Sequence, residues 1–257
     1  METPEKEQAL SQGRRLVISD IHGCIHAFEK MLEKVDFSLE DTLYVIGDMI
    51  DRGPNARAVI DLVRSTPNMV PLMGNHEWMM LQYLDKGPYK RSWNRNGNGE
   101  MRRWLDASGS RHGHLSEEVQ KVVDWIRALP YFIELDDYLL IHAGWNLPNT
   151  IDDLERYLAK KATLREVLED QPRMDLVWAR EEFFHYHCDE LIELLTGRKK
   201  TVIFGHTPTV LLGDFGRRPK IWHDPSGDKI NIDCGAFYGG RLACLDLDSM
   251  EEYYTEE

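Results

Sequence analysis

The chain has 257 residues, of which 42% are hydrophobic and 29% are charged, a composition typical of a globular protein with a sizeable core. This composition excludes disordered, collagen-like and fibrous classes of protein. With 31 Lys and Arg residues against 44 Asp and Glu residues, the formal net charge is -13, so a phosphate backbone would meet net repulsion and we do not expect a nucleic-acid partner.

The N-terminal residues 1–14 are predicted to form a tail ahead of a single domain over residues 15–257. The tail lacks the apolar core of a secretory leader, and no stretch of the chain reaches the roughly 18 apolar residues of a membrane helix. The four cysteines form no CxxC pair, which favours free thiols over disulfides. We therefore expect a cytoplasmic protein without a membrane partner.

Three strand–loop–helix units follow one another at the start of the domain. Short apolar runs at 15–19, 42–48 and 69–75 predict strands. Each run is followed by apolar residues at helical spacing, as Phe28 and Met31 illustrate for the first unit. Repeated units of this kind predict a largely parallel, buried sheet.

The middle of the chain is less regular. The segment from Lys86 to Leu115 is rich in Gly, Asn, Arg, Ser and Trp and has little periodicity, which predicts a surface excursion able to line or cover a site. The run 131–144 predicts two strands around Asp136 and Asp137. Residues 151–170 are charged and helical in pattern, and their anchors are predicted at Leu154, Leu158, Leu164 and Leu168.

The last elements are again predicted to be strands. The run TVIFGHT, at 201–207, is an apolar strand that ends in polar residues. The run 229–249 alternates like a terminal pair of strands, with Gly239 and Gly240 at the turn. The domain is therefore predicted to be of the α/β class.

Polar motifs stand where the apolar strands end. SDIHG, GDMIDRG, GNHE, IHAG and FGHT each follow such a strand, and ligand sites gather at the carboxyl ends of strands in open α/β sheets. Their carboxylate, amide and imidazole groups suit Mn, Fe or Zn better than Ca or Mg. We expect these motifs to bring together the side chains of Asp20, His22, Asp48, Asp51, Asn75, His76, His142 and His206.

Each motif by itself has an ordinary structural explanation. An Asp at a strand end often caps a helix, a GD or NG pair often forms a turn, and a buried His is often a core residue with satisfied hydrogen bonds. Five such motifs in one order are explained together by a site for two metal ions. The pattern as a whole therefore favours a metal centre.

In this order, the blocks DIHG, GDMIDRG, GNHE, HAG and GHT resemble the calcineurin-like metallophosphoesterases. Within that superfamily, DRG and GNHE are similar to the phosphoprotein phosphatase branch, which includes small bacterial and phage enzymes. The resemblance runs from Leu16 to about Leu247. It implies a four-layer sandwich, in which two β-sheets pack face to face between helices, and residues 15–257 as one catalytic domain.

The resemblance also implies two divalent metal ions, with Mn as the leading candidate and Fe or Zn as alternatives. Asp48 would bridge the two ions, and a metal-bound hydroxide would attack phosphorus in line, without a phospho-enzyme. Asp20 and His22 would bind the first ion, and Asn75, His142 and His206 would complete the second.

The same resemblance assigns the catalytic side chains. His76 is the implied general acid for the leaving oxygen, and Asp51 would orient its ring and favour the imidazolium. Arg52 would grip the phosphoryl oxygens, a task that suits a planar bidentate donor. Asn75 and Arg180 are the further implied contacts to the substrate phosphate.

One position departs from the branch. Its protein phosphatases typically carry an arginine two residues before the Asn of GNHE, where this chain has Met73. The leading hypothesis is a serine/threonine protein phosphatase acting on a phosphorylated protein or peptide. The alternatives are a hydrolase of dinucleoside polyphosphates such as diadenosine tetraphosphate, a group that also lacks that arginine, and a catalytically silent phospho-binding module.

Other residues imitate functional motifs. His185, His187 and Cys188 resemble part of a zinc site but lack a second ligand pair, so we predict an exposed helix or loop there. Aromatic side chains stack on bases in some nucleotide sites, but tryptophans near helical spacing usually fill the core. We therefore assign no substrate role to Trp78, Trp93 or Trp104.

Overall fold

A computed structural model of the protein describes residues 13–88, 90–109, 114–146, 157–185, 187–212 and 218–256. Most of the predicted N-terminal tail lies outside these residues, but its last residue, Arg14, is firmly held. The Arg14 guanidinium donates to both carboxylate oxygens of Asp41, at 3.0 and 2.9 Å, and to the carbonyl oxygen of Val35 at 2.8 Å. Arg14, in the predicted tail, thus contacts residues of the domain.

The described residues form two sheets of five strands each, and the parallel part of the first sheet is the one that the repeated units predict. Leu16 pairs with Leu43 and Leu43 with Met69, all in parallel register, while the two C-terminal strands run antiparallel to their neighbours. The strands are β1 (Arg15–Ile18), β2 (Thr42–Val45), β3 (Met69–Pro71), β9 (Ala243–Asp246) and β10 (Glu252–Tyr254), in the spatial order β10-β9-β1-β2-β3.

The second sheet also has five strands. Its three central strands are parallel and its two edge strands antiparallel to them, and the predicted pair of strands around Asp136 and Asp137 is confirmed as an antiparallel hairpin. The strands are β4 (Phe132–Glu134), β5 (Tyr138–Ile141), β6 (Thr201–Phe204), β7 (Trp222–His223) and β8 (Lys229–Asn231), in the spatial order β4-β5-β6-β8-β7.

The predicted terminal pair of strands is wrong in its pairing. Both strands exist, as β8 and β9, but β8 joins β6 and β7 in the second sheet whereas β9 joins β1 and β10 in the first. Alternation of apolar residues indicates that a strand is half-buried but does not identify its neighbour. The segment between β8 and β9 therefore crosses from one sheet to the other.

The two sheets pack face to face, and helices cover their outer faces, which confirms the four-layer sandwich. Both sheets contribute to one apolar layer between them, made by Val17, Ile46, Leu72, Leu140, Ile203, Ile230 and Leu245, among others. A second apolar cluster lies between the first sheet and its helices, and a third between the second sheet and its helices. The core is thus split into three layers by the two sheets.

Among the described residues, the helices fall into two groups. Those packed mainly on the first sheet are α1 (Ile25–Lys34), α2 (Ala56–Ser65), α3 (Asn75–Leu84), α4 (Lys90–Arg95), α5 (Gly99–Ala107) and α6 (Glu117–Arg127). Those packed mainly on the second sheet are α7 (Leu164–Glu169), α9 (Glu181–His185) and α10 (Asp189–Thr196), whereas α8 (Arg173–Trp178) joins the two groups, with Val177 in the cluster of the first sheet and Leu176 in that of the second. Within that part of the chain, none of the helices is long and apolar enough to cross a membrane.

The predicted surface excursion between Lys86 and Leu115 is wrong for most of that segment. It forms α4 and α5, and the side chains of Trp93, Met101 and Leu105 have no exposed surface. The few apolar residues are spread over two short helices, so they give no clear helical period although each one is buried. The segment does cover a neighbouring loop, because the carbonyl oxygen of Gly97 accepts from the amide of Arg52 at 2.8 Å.

The predicted helix over 151–170 is confirmed in its second half. Leu164 and Leu168 are buried in α7, at the outer face of the second sheet. Leu158 is exposed and therefore not an anchor, and Leu154 lies outside the described residues.

Candidate metal centre

The polar motifs meet where the strands of both sheets end. Asp20 and His22 follow β1, Asp48 follows β2 and Asn75 follows β3, while His142 follows β5 and His206 follows β6; all six are buried. Four of these residues have a left-handed backbone, with φ of 52° at Asp20, 46° at His22, 53° at Asp48 and 68° at His206. Such strain in non-glycine residues is costly and concentrates at functional sites.

Asp48 lies at the middle of the cluster. Its Oδ2 is 3.4 Å from His22 Nε2 and 3.9 Å from His76 Nε2, and its Oδ1 is 3.6 Å from His142 Nε2. Two groups of potential ligand atoms therefore share this one carboxylate, and their members are His22, Asp48 and His76 in one group and Asp48, His142 and His206 in the other. The arrangement suits the bridging role expected of Asp48.

Asn75 joins the second group. Its Oδ1 lies 3.0 Å from His142 Nε2 and 3.0 Å from His206 Nδ1. With the amide turned over, its nitrogen would instead donate to both rings and to Asp48. Either an amide N–H or a cation must face this collection of lone pairs, since acceptor atoms so close together repel one another.

Backbone carbonyl groups around the centre orient the rings of two potential ligands. His22 Nδ1 donates to the carbonyl oxygen of Ile50 at 3.1 Å, and His142 Nδ1 donates to that of Ile46 at 2.9 Å. Because a carbonyl can only accept, both rings carry their proton on Nδ1 and turn the Nε2 lone pair toward Asp48. This is the tautomer that a metal ligand requires.

The charge states also fit a pair of cations. Burial, followed by the charge of Arg52, lowers the pKa of His22 to about 3, and burial holds the pKa of His206 well below its usual range. Both imidazoles are therefore neutral, and each has a nitrogen lone pair. In the described part of the chain, the buried atoms without a hydrogen-bond partner include His76 Nε2 and His206 Nε2. The oxygen and nitrogen donors match Mn, Fe or Zn.

Asp20 connects the two sheets at the centre. Its Oδ2 accepts from the hydroxyl of Ser19 and, at 2.9 Å, from the backbone amide of His206. Its Oδ1 lies 3.8 Å from His22 Nε2. The carboxylate is therefore placed to share a cation with His22 while it holds the loop after β6.

His76 and Asp51 form a buried pair. His76 Nδ1 lies 2.8 Å from Asp51 Oδ2, and the indole N–H of Trp93 donates to the same oxygen at 2.5 Å. Burial lowers the pKa of His76 well below its usual range and raises that of Asp51 well above it. Asp51 thus orients the ring as expected, while burial opposes the imidazolium that Asp51 was expected to favour.

Glu77 is a functional residue that the motif analysis did not single out. Its Oε2 accepts from the amides of Asp48 and Gly74 at 2.9 and 3.0 Å, and its Oε1 accepts from those of Met49 and Ile50 at 2.9 and 3.2 Å. The side chain is fully buried. It fastens the loop after β2 to the start of α3, so that Asp48 and His76 stay in register.

Gly47 lies where two backbone segments approach each other closely, so the position has no room for a side chain. A Cβ on Gly47, whose φ is 90°, would lie 2.6 Å from the Cα of Gly74 and 2.7 Å from His142 Nδ1. Only glycine leaves room there for the loop after β2, the start of α3 and a ligand of the second sheet.

The arginines lie at the rim. Arg52 Nη1 is 2.6 Å from His22 Nε2, so its guanidinium reaches the predicted ligand atoms. Arg180 is exposed and donates to Thr207 Oγ1 at 3.4 Å, next to His206. Both guanidinium groups are therefore close enough to the centre to face an anionic ligand there.

Met73 and Cys188 are buried in apolar clusters although each lies next to polar motif residues. Met73 is buried in the apolar cluster between the first sheet and its helices, so no charged group occupies that position. Cys188 is also fully buried, and burial raises its thiol pKa to about 12, whereas His187 is exposed, as predicted. The apparent zinc motif is thus divided between core and surface.

Comparison with known proteins is consistent with this geometry. A sequence profile of calcineurin-like phosphoesterases matches residues 13–210. The symmetrical bis(5'-nucleosyl)-tetraphosphatase of Dechloromonas aromatica is 28% identical over 149 residues, which is 57% of this chain and 49% of that protein. The chain thus spans about half the length of the curated relatives it matches.

Solved structures share the architecture. A crystal structure assigned provisionally as a diadenosine tetraphosphatase has a TM-score of 0.60 at 19% identity and covers 96% of this chain and 94% of its own. A cold-active protein-tyrosine phosphatase from a psychrophilic Shewanella species has a TM-score of 0.59 at 18% identity and covers 95% and 80%. At these identities the likeness shows a common fold.

Proposed function

Because the chain belongs to the calcineurin-like phosphoesterase family and is therefore a metallophosphoesterase, we propose that it hydrolyses dinucleoside polyphosphates of the diadenosine tetraphosphate type. The observation that carries the choice of substrate is Met73. Protein phosphatases with similar motifs typically place a phosphate-binding arginine there, whereas this side chain packs in the core. The tetraphosphatase relatives support the same choice.

The proposed centre holds two divalent cations, with Mn favoured over Fe and Zn. When bound, the cations would supply an activated water and neutralise the charge of the phosphoryl oxygens. The ligands are divided between the sheets, and Asp48 is common to both groups. The proposed ligands are Asp20, His22, Asp48, Asn75, His142 and His206.

His76 is the proposed general acid. Its Nδ1 is engaged by Asp51, so the acid would be the imidazolium, and its Nε2, which faces Asp48, would give the proton to the leaving oxygen. Burial opposes this charge, so the negative charge of a bound substrate would have to favour it. Trp93 holds Asp51 from the other side and keeps the pair in one orientation. The leaving group accepts this proton as the bond from phosphorus to the bridging oxygen breaks.

Arg52 and Arg180 are the proposed phosphate contacts, together with Asn75. A guanidinium at each side of the centre suits a polyphosphate chain, whose charge extends beyond the phosphorus under attack. Arg52 approaches from the His22 side and Arg180 from the His206 side. The two side chains thus provide the positive charge that a protein of net charge -13 lacks overall.

The second candidate is a serine/threonine protein phosphatase. The observation that favours it is the pair of motifs DRG and GNHE, whose Asp51, Arg52 and His76 all reach the centre. A silent phospho-binding module is disfavoured, since a pure binder has no need of a buried imidazole held with its Nε2 toward the ligands.

A side-by-side assay separates these functions. The Mn-loaded protein would be given diadenosine tetraphosphate and a phosphoserine peptide, each with a chelator control. We expect a higher kcat/KM on the dinucleotide, with ADP as the product of symmetrical cleavage. If phosphate were released from the peptide faster than the dinucleotide is cleaved, the protein would instead be a protein phosphatase. Absence of turnover on both would support the binding module.

Replacement of His76 tests the catalytic assignment separately from metal binding. In His76→Gln we expect kcat to fall by about 10²–10⁴-fold, the usual contribution of a general acid, with two metal ions still bound. In Asn75→Ala and His142→Ala we expect metal to be lost as well, as measured by elemental analysis. Unchanged metal content and activity in the latter two variants would refute the centre.

A further inference from the structure

Two neighbouring aromatic rings, which we call the aromatic shelf, are exposed beside the centre. Phe237 and Tyr238 belong to a 3₁₀ turn over Ala236–Tyr238, and their ring centroids lie 5.6 Å apart in an edge-to-face arrangement. Tyr238 is 62% exposed and Phe237 is 41% exposed. Adjacent exposed aromatic side chains are characteristic of a binding surface.

The aromatic shelf is held by a fixed backbone. The amides of Tyr238 and Gly240 both donate to the carbonyl oxygen of Gly235, at 2.9 and 3.0 Å. The Gly235 amide donates in turn to Asp233 Oδ1 at 2.8 Å. These bonds fix the backbone of the turn that carries the two rings.

A second 3₁₀ turn, Thr209–Leu211, lies alongside the first. The amide of Thr209 donates to the carbonyl oxygen of Asp233 at 2.8 Å, so the two turns share one support. This second turn begins three residues after His206 and carries the exposed side chains of Val210 and Leu211. The aromatic shelf therefore continues into an apolar rim next to a proposed metal ligand.

Arg52 contacts both the aromatic shelf and a proposed metal ligand. Its Cζ lies over the ring of Tyr238, 5.0 Å from the centroid, and its Nη1 lies 2.6 Å from His22 Nε2. A single guanidinium thus separates the ring from a ligand atom of the centre. A phosphate held by Arg52 would place the group esterified to it beside Tyr238.

We propose that the aromatic shelf is the subsite for the base of the nucleotide, and that Tyr238 is a specificity-determining residue. The inference rests on the proposed function. A purine would stack on the exposed surface of the Tyr238 ring, since bases stack on aromatic side chains through their π-faces. The side chain of a phosphoserine has no ring with which to use this surface.

The test measures binding, so it does not depend on turnover. The Mn-loaded full chain would be titrated calorimetrically with AMP and, separately, with inorganic phosphate. In Tyr238→Ala we expect the Kd for AMP to rise about 10-fold, as for loss of one base–aromatic stack, while the Kd for phosphate stays unchanged. Tyr238→Phe retains the ring and should retain AMP binding. Leu39→Ala, at an exposed position after α1, is the control.

Each outcome decides the proposal. An equal rise in both constants would mean that Tyr238 acts only by positioning Arg52, and it would overturn the subsite. Unchanged AMP binding in Tyr238→Ala, or no AMP binding by the unmodified protein, would overturn it as well. Failure of the proposed function would show differently, as absence of diadenosine tetraphosphate hydrolysis in a protein whose AMP binding still depends on Tyr238.

Discussion

The two sheets contribute to the candidate centre in different ways. The first half of the centre, on the first sheet, comprises Asp20, His22, Asp48, Asn75 and His76, all from three consecutive strand ends. The second half, on the second sheet, comprises His142 and His206, which stand 64 positions apart in the chain. The first half is dense in local motifs, whereas the second consists of single side chains.

The two halves also differ in how they are held. Glu77 binds four backbone amides of the first half, so that this half is a rigid frame by itself. The second half is fastened to that frame by individual bonds, from His142 Nδ1 to the Ile46 carbonyl and from the His206 amide to Asp20. A complete centre thus requires both a preformed frame and correct packing of one sheet on the other.

The largest expected effect comes from Asp48, which lies in the first half and belongs to both groups of potential ligand atoms. In Asp48→Asn the bridging charge is lost, so we expect kcat/KM to fall by about 10³-fold or more, because both cations lose a common ligand. Elemental analysis should show fewer than two ions per chain. A variant that keeps both ions and full activity would show that Asp48 is not a common ligand of the two ions.

Glu77 tests the rigidity of the frame. In Glu77→Gln the new amide group can no longer accept from two of the four backbone donors, so we expect the free energy of unfolding to fall by about 2–3 kcal/mol. The matched control is Glu166→Gln at the start of α7, because each glutamate accepts from the backbone amide of the residue that precedes its helix but Glu166 is exposed. Equal midpoints of chemical denaturation for the two variants would contradict the prediction.

Trp93 tests the support of the general acid. Trp93→Phe removes the indole N–H that donates to Asp51 but keeps an aromatic ring in the core. We expect kcat to fall about 10-fold, as for the loss of an outer hydrogen bond at an active site, with metal content unchanged. Trp104→Phe, in α5, provides the control. Equal kcat values in both variants would mean that Trp93 only fills space.

The smallest effect is expected away from both halves, at the ion pair between Arg127 and Asp85. The hydrogen bonds of 2.7 and 2.8 Å from Arg127 hold the pKa of Asp85 below its usual range, but the two side chains are 48% and 47% exposed. Arg127→Ala should therefore lower stability by less than about 1 kcal/mol at pH 7.

The pH dependence of this pair has a definite sign. Because the folded pKa of Asp85 is depressed, its contribution is complete above the unfolded pKa of about 3.9 and is lost as the pH falls through the folded value. Denaturation curves of Arg127→Ala and the unmodified protein should therefore converge in acid. A stability difference between the two proteins that grows as the pH falls would show that Arg127 does not lower the pKa of Asp85.

Much of the first half of the centre was predictable from sequence. Apolar runs ending in DIHG, GDMID and GNHE place their polar residues at strand ends, and short strand–helix repeats impose parallel neighbours, so Asp20, Asp48 and Asn75 come together for a local reason. The motifs IHAG and FGHT placed His142 and His206 at strand ends in the same way, but their role as ligands of the second ion was inferred only from a family resemblance. No spacing in the chain dictates where the second sheet lies relative to the first.

Other features depended on the tertiary structure entirely. The bond from Trp93 to Asp51 joins residues that are 42 positions apart in the sequence. The contact of Arg52 with Tyr238 joins residues near opposite ends of the chain. The sheets to which β8 and β9 belong were likewise decided by packing. By itself, the sequence determined which segments are apolar and where the polar ligands follow them, because those properties are local. Which of the buried surfaces meet was decided by the fold, because many pairings bury the same apolar residues but few also satisfy the polar groups among them.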